Sequence, residues 1–342
     1  MVTRSDIRRV WRAAALCLLS GIAQGAASEG VPASSPALVW PPPPAEPRVR
    51  YVRSISSPAD IGARPSIWGR MASAITGTRK GAERLVKPMG IAVDDSGSLC
   101  VTDTGSGTVC LFDLAARRFS RWDAIGKVRL VSPVAVAKKG DVLYVADSAL
   151  GKVLAFDIRG KPRFEIASVE RPTGVAVLGE KLFVADSQAH AIAVFDLAGS
   201  PLYRFGARGA GPGEFNAPTH VAATADGRLL VTDSLNGRIQ VFSADGLWQR
   251  TIGSPGDGTG HFSRPKGVAA DSFGHIYAVD ALHDNVQVFD GEGRFLMDWG
   301  EAGSKPGEFW LPAGVAVSRQ NEIFVVDSYN RRVQVFQYVG QP

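Results

Sequence analysis

Pro265-Lys-Gly-Val-Ala-Ala and Pro312-Ala-Gly-Val-Ala-Val are two copies of one short phrase, and four more stand upstream. These are Pro88-Met-Gly-Ile-Ala-Val, Pro133-Val-Ala-Val-Ala, Pro172-Thr-Gly-Val-Ala-Val and Pro218-Thr-His-Val-Ala-Ala. Each opens a unit that continues through an apolar run ending in aspartate (Asp103, Asp147, Asp186, Asp233, Asp280, Asp327) and a second ending in phenylalanine (Phe112, Phe156, Phe195, Phe242, Phe289, Phe336). The aspartates are spaced 44, 39, 47, 47 and 47 residues apart. A period of this length with three or four short strands and no helix-sized segment points to an all-β, six-bladed β-propeller, against an α-solenoid or βαβ units. Branched and aromatic residues in Leu143-Tyr-Val-Ala, Ile323-Phe-Val-Val and Val333-Gln-Val-Phe favour extended backbone. Stacked blades can bury both faces of a strand, so strict polar and apolar alternation is not required.

A fourth strand follows the phenylalanine in the internal units, as in Pro201-Leu-Tyr-Arg-Phe, Leu247-Trp-Gln-Arg-Thr-Ile and Arg294-Phe-Leu-Met-Asp-Trp. The sixth unit ends with only three strands. Val49-Arg-Tyr-Val-Arg-Ser-Ile has the missing pattern and stands before the first unit. Adding this N-terminal strand to the last blade, beside residues 333–338, closes the ring and removes its open edges. Deleting residues 48–58 is therefore expected to destabilise the whole ring, and deleting residues 28–38 to have a mild effect.

Three connectors are near-copies: Gly209-Ala-Gly-Pro-Gly-Glu-Phe-Asn-Ala-Pro, Gly256-Asp-Gly-Thr-Gly-His-Phe-Ser-Arg-Pro and Gly303-Ser-Lys-Pro-Gly-Glu-Phe-Trp-Leu-Pro. With the phased cores, they make residues 49–338 resemble the NHL-repeat family of six-bladed propellers. The first three units lack the full connector. The connectors are glycine-rich, but no Gly-Lys-Ser/Thr follows, so they read as links between blades and not as phosphate loops.

The composition bounds the rest. With 342 residues, 45% of them apolar, the chain can bury a substantial core. Of the formal charge of +5, Arg4, Arg8, Arg9 and Arg12 against Asp6 contribute +3, leaving about +2 beyond residue 27. Bulk charge therefore names no partner. The same arginines precede an apolar run from Ala13 to Ile22 and small residues from Ala23 to Ser28, the layout of a signal peptide over residues 1–27, with a retained anchor as the alternative. Periplasmic or secreted localisation follows. Residues 28–47 form a proline-rich arm ending in Trp40-Pro-Pro-Pro-Pro, either a polyproline II spacer or a docked strap that shelters Val39 and Trp40. The propeller occupies residues 48–342. Residues 63–87 make a longer link containing Ile67-Trp-Gly-Arg-Met-Ala-Ser-Ala-Ile, read as a short helix or a loop over one face.

The six aspartates, one per unit before turn residues, fit repeated turn capping by a carboxylate that accepts backbone N–H groups. His220 departs from the pattern by standing where other units have Gly90, Ala135, Gly174, Gly267 and Gly314. That position opens the innermost strand near the channel mouth, so the imidazole is an axial candidate for a metal, an anion or a substrate, or else a channel filler. Lys152, Arg238 and Arg332 share one repeat position and, with Arg331, Asn236 and Asn330, place basic groups on one face. Asp280, His283 and Asp284 form the densest local polar cluster, for which a solvated turn is the simpler reading. His190, His261 and His275 scatter without metal-ligand spacing. Cys100 and Cys110 lie on neighbouring strands and read as buried thiols in preference to a disulfide.

The favoured function is an exported, non-catalytic propeller that binds another exported protein, a peptide or a small ligand. Some members of the resembled family bind RNA, a use that weak net charge and the export signal disfavour here. No cofactor is favoured. The alternative is catalytic. Similar six-bladed folds include metal-dependent lactonases and esterases and a peptidyl-hydroxyglycine lyase, which would imply calcium or zinc near His220 at the central channel.

Overall fold

The computed structural model describes residues 38–63, 83–94 and 96–340. The expected signal peptide, residues 28–37 of the arm, and the Ile67–Ile75 segment lie outside the described residues. Among the described residues, no helix is long and apolar enough to cross a membrane.

The described residues form six antiparallel blades around a channel whose wall takes residues from all six innermost strands. The fourth blade is representative, with Pro218–Ala223 innermost, followed by Arg228–Asp233, Arg238–Ser243 and Trp248–Ile252. The sixth places Val315–Val317, Glu322–Asp327 and Arg332–Tyr338 in sequence and then takes Val49–Ile55 from the start of the ring. A small extra hairpin, Ala124–Ile125 with Val128–Arg129, follows the first blade.

The closing strand copies an internal fourth strand down to its bulge. Ile55, Ser54, Arg53 and Tyr51 pair with Val333, Gln334, Val335 and Phe336, with a register shift between Tyr51 and Arg53. In the fourth blade, Ile252, Thr251, Arg250 and Trp248 pair with Ile239, Gln240, Val241 and Phe242, with the same shift. Val49 and Ile55 are fully buried, and Tyr51 meets Phe336 edge-on at 5.8 Å. Of the two readings of the arm, its described part takes the docked one. Val39–Trp40 adds a fifth strand against Val49, and the Trp40 ring meets Phe336 edge-on at 5.8 Å.

The core lies in the seams between blades. Its six apolar clusters each draw on two neighbours, as where Phe183, Ile192 and Val194 of the third blade meet Val221, Leu229 and Phe242 of the fourth. A middle strand packs on a seam at each face, which explains continuous apolar runs such as Leu-Phe-Val-Ala in Lys181–Asp186. The six repeat-phased phenylalanines are at most 2% exposed. Cys100 and Cys110 obey the same geometry. Cys100 pairs across the ladder with Leu111 and Cys110 with Val101, so they point to opposite faces and enter different seams. Both are buried free thiols, and burial raises the pKa of each.

Candidate functional site

The innermost strands approach one another so closely that their second position after proline has almost no room. A Cβ on Gly90 would lie 2.5 Å from the Val134 carbonyl oxygen, and one on Gly174 2.8 Å from the His220 Cα. One on Gly267 or Gly314 would lie 2.6 Å from the carbonyl oxygen of Ala313 or Met89. Backbone leaves no flexible atom to yield. Gly174→Ala is therefore expected to cost about 1–3 kcal/mol through overpacking, read as a lower urea midpoint at unchanged slope.

His220 is the large exception. Its half-buried side chain lines both the channel, of about 240 Å³, and a second cavity of about 280 Å³ at the channel mouth. Burial, reinforced by the positive charge of Lys266, pulls the His220 imidazole down to about 3, so it is neutral at physiological pH. Its Nδ1 and the adjacent Thr219 Oγ1 are buried without hydrogen-bond partners among the described residues.

The mouth cavity is basic. Arg171, Arg264 and Lys266 line it with Met89, Val134, Ala217 and Leu235. Burial, with Arg264 and Lys87 nearby, lowers the Lys266 pKa. Ser187 and Ser234 also line the cavity, but their hydroxyls donate to the carbonyls of Arg171 and Pro265. At the far end of the channel wall, Lys138 pairs with Asp94.

The blade aspartates clip each interblade connector to the end of the second strand. Asp103 accepts the N–H groups of Val86 and Lys87 at 2.6 and 2.9 Å, and those of Gly105 and Ser106 in the following turn. Asp147 and Asp280 repeat this double grip on Val131 with Ser132 and on Ser263 with Arg264. Asp186 does so on Glu170 with Arg171. Asp233 and Asp327 work differently. Each holds one connector N–H, from Asn216 or Trp310, and uses its other capacity on an asparagine and an arginine of its own blade. The second connector N–H then reaches into the preceding blade: Ala217 donates to His190 Nδ1 at 3.1 Å and Leu311 to Asp284 Oδ1 at 2.7 Å.

This arrangement places the residues singled out from the sequence. Arg238 and Arg332 turn inward. Their guanidinium groups hold Asp233 and Asp327 and donate to the connector carbonyls of Gly211 with Glu214 and of Lys305 with Glu308. Lys152 pairs with Glu165 at the surface, and Arg331 is exposed in a turn with φ of 58°. His283 Nδ1 lies 3.1 Å from Asp280, and Asp284 is spent on the Leu311 link. Burial, with Asp327 and Asp280 nearby, raises the Asp284 pKa even though the Leu311 N–H opposes it. His261 meets Ser254 in its connector, and His275 with Tyr277 anchors the buried Asp271 at the opposite end.

Two groups escaped the sequence reading. Gln240 and Gln334 sit fully buried in third strands, where each accepts a connector N–H (Gly213, Gly307) and donates to a connector carbonyl (Glu214, Glu308). Gln287 makes the corresponding donation to His261. Their signal was a polar residue recurring at one repeat position within an apolar strand. The other group is the mouth cluster itself, whose signal was a cation flanking the blade-opening proline: Arg171 and Arg264 directly before it and Lys266 directly after it.

A metal does not fit beside His220. The mouth offers one imidazole nitrogen, a thioether and hydroxyls beside three cations, and no carboxylate lines the cavity. Among the described residues, no group of three or more His, Cys, Asp or Glu side chains is placed to hold an ion.

Comparison with known proteins agrees with this architecture. The NHL repeat model matches residues 309–336, and a model described as a 6-bladed beta-propeller, DUF5128, matches residues 220–282. No curated protein matches the chain. Among solved structures, a protein of unknown function from Bacteroides thetaiotaomicron is similar at 15% identity and a TM-score of 0.59, over 75% of this chain and 70% of that one. Virginiamycin B lyase from Staphylococcus aureus is similar at 13% identity and 0.55, over 74% and 96%. Hydrazine synthase from Kuenenia stuttgartiensis is similar at 15% identity and 0.55, over 77% and 99%. At these identities the likeness is one of fold. The ring of six blades identifies the chain as a six-bladed β-propeller, and the NHL repeat model matches its last blade.

Proposed function

We propose that the chain is an exported, non-catalytic binding module that recognises an acidic, partly apolar partner on the face around the channel mouth. The observation that carries this reading is the concentration there of exposed apolar side chains beside cations. Val86, Val131 and Trp310 stand two residues before a blade-opening proline, and Leu235, Leu282 and Tyr329 two residues after a blade aspartate. All six are 44–55% exposed. The Trp310 and Tyr329 rings pack at 5.5 Å with a tilt of 45°, and Lys87 Nζ lies 5.2 Å from the Tyr329 ring centre. Scattered exposed apolar residues are ordinary, but a set repeated around one face is the usual mark of an interaction surface. The cationic mouth and the lack of metal donors there support binding over metal-assisted catalysis.

The test uses peptides selected from a displayed random library against the wild-type chain. In the Leu282→Ser, Trp310→Ser, Tyr329→Ser variant their affinity should fall at least tenfold. Phe273→Ser, in a turn at the opposite end of the ring, should leave it unchanged. Equal loss in both variants, or in neither, would overturn the proposal. Export is tested separately, by the N-terminal sequence of the chain recovered outside the cytoplasm.

A further inference from the structure

We propose that the channel-mouth cavity is a binding site for a small organic carboxylate, its anionic end held by Arg171, Arg264 and Lys266 and its carbon body by the apolar wall. This rests on the reading of the mouth as the recognition face and names a ligand at its centre.

The first argument is charge. Several largely covered basic side chains in this ring are matched: Arg228 with Asp226, Arg238 with Asp233, Arg250 with Glu292 and Arg332 with Asp327. Arg171, Arg264 and Lys266 have no ion-pair partner among the described residues, although they converge on one cavity. Clustering like charges without a counter-charge is unfavourable, and burial pushes the Lys266 ammonium further towards its neutral form. A bound anion reverses both effects. Arginine suits the role because its planar fork matches the two oxygens of a carboxylate.

The second argument is independent of charge. Thr219 and His220 both belong to the cavity wall, and Thr219 Oγ1 and His220 Nδ1 are buried with no partner among the described residues. Buried polar atoms in folded proteins are rarely left in this state, because each one costs about 1–3 kcal/mol. A hydroxyl and a neutral imidazole can both donate to a carboxylate oxygen. The position occupied by His220 is glycine in four of the other five units, so this chain carries its orphan nitrogen where the fold itself asks for no side chain.

Size and lining narrow the class. A cavity of about 280 Å³ lies near the lower end of ligand pockets, which span roughly 300–1,000 Å³, so it suits a small molecule. Met89, Val134, Ala217 and Leu235 supply apolar surface beside the cations, which favours an organic acid over a bare inorganic anion.

The experiment is calorimetric titration of the full chain with hexanoate and benzoate, the neutral analogues hexanamide and benzamide, and inorganic phosphate. The acids should bind and the amides should not. Lys266→Met and Arg264→Gln should each weaken acid binding at least tenfold, with thermal unfolding confirming that both variants fold. Phosphate should bind more weakly than the acids. Failure of both acids to bind, equal affinity for acid and amide, equal or tighter affinity for phosphate, or acid binding untouched by both variants would overturn the inference. The triple variant at Leu282, Trp310 and Tyr329 separates the two proposals. Retained carboxylate binding in that variant, with peptide affinity unchanged from wild type, would sink the broad face and leave the cavity standing.

Discussion

Removal of Val49–Ile55 should abolish the single cooperative unfolding transition of the ring. The strand supplies the fourth rung of the sixth blade, so its loss opens the Arg332–Tyr338 edge and exposes two seams. Val49 belongs to the seam with the fifth blade and Ile55 to the seam with the first, so both neighbours lose apolar contact. The bared Arg332–Tyr338 edge is also a template for aggregation. We expect a broad, early thermal transition with aggregation, together with rapid cleavage in limited proteolysis. The graded version is Ile55→Ala, expected to cost about 2–5 kcal/mol, while Val52→Ala, at the exposed bulge of the same strand, should cost little. A sharp transition retained after deletion of Val49–Ile55 would show that the sixth blade is stable with three strands.

Asp327→Ala should be the most damaging single substitution among the blade aspartates, with a loss of about 3–5 kcal/mol. Its fully buried carboxylate is a node for the Trp310 N–H, the Asn330 amide, the Arg332 guanidinium and the Gln334 amide. Truncation leaves Arg332, with its side chain only 13% exposed, facing a buried void without its counter-charge. It also frees the connector that Arg332 and Gln334 grip. Asp186 holds backbone N–H groups and no charged partner, so Asp186→Ala should cost less. The comparison is made by urea unfolding of both variants, and equal losses would show that the ionic part of the node adds nothing.

Much of the fold was legible because a propeller repeats. The aspartate and phenylalanine phases marked strand ends, and Val49–Ile55 could be matched to Trp248–Ile252 before any pairing was known. What resisted reading depends on direction. Arg238 and Arg332 look like a basic face in a sequence, yet their guanidinium groups point towards connector carbonyls because Asp233 and Asp327 lie buried beneath them. The six aspartates read as turn caps, and their larger task of holding the connectors came from residues some sixteen positions upstream. His220 was conspicuous as a departure from glycine, but the reason glycine recurs there is a backbone contact between blades. The mouth cluster joins Arg171, Arg264 and Lys266 from two separate blades, and only the closed ring brings them to one cavity.

The closing strand also has a consequence for how the chain reaches its native state. Apart from the short Val39–Trp40 strand beside it, Val49–Ile55 is synthesised before every other strand of the ring, and its partner Arg332–Tyr338 is synthesised last. Individual hairpins can form from neighbouring residues, but the final ladder must wait for the whole chain. Such a distant pairing carries a loop-closure entropy that local contacts cannot offset, which makes closure a late event in folding. Until it occurs, the sixth blade keeps a bare edge. The interval between the first and last strands is thus the period in which this protein is most exposed to proteases and to pairing with other copies of itself.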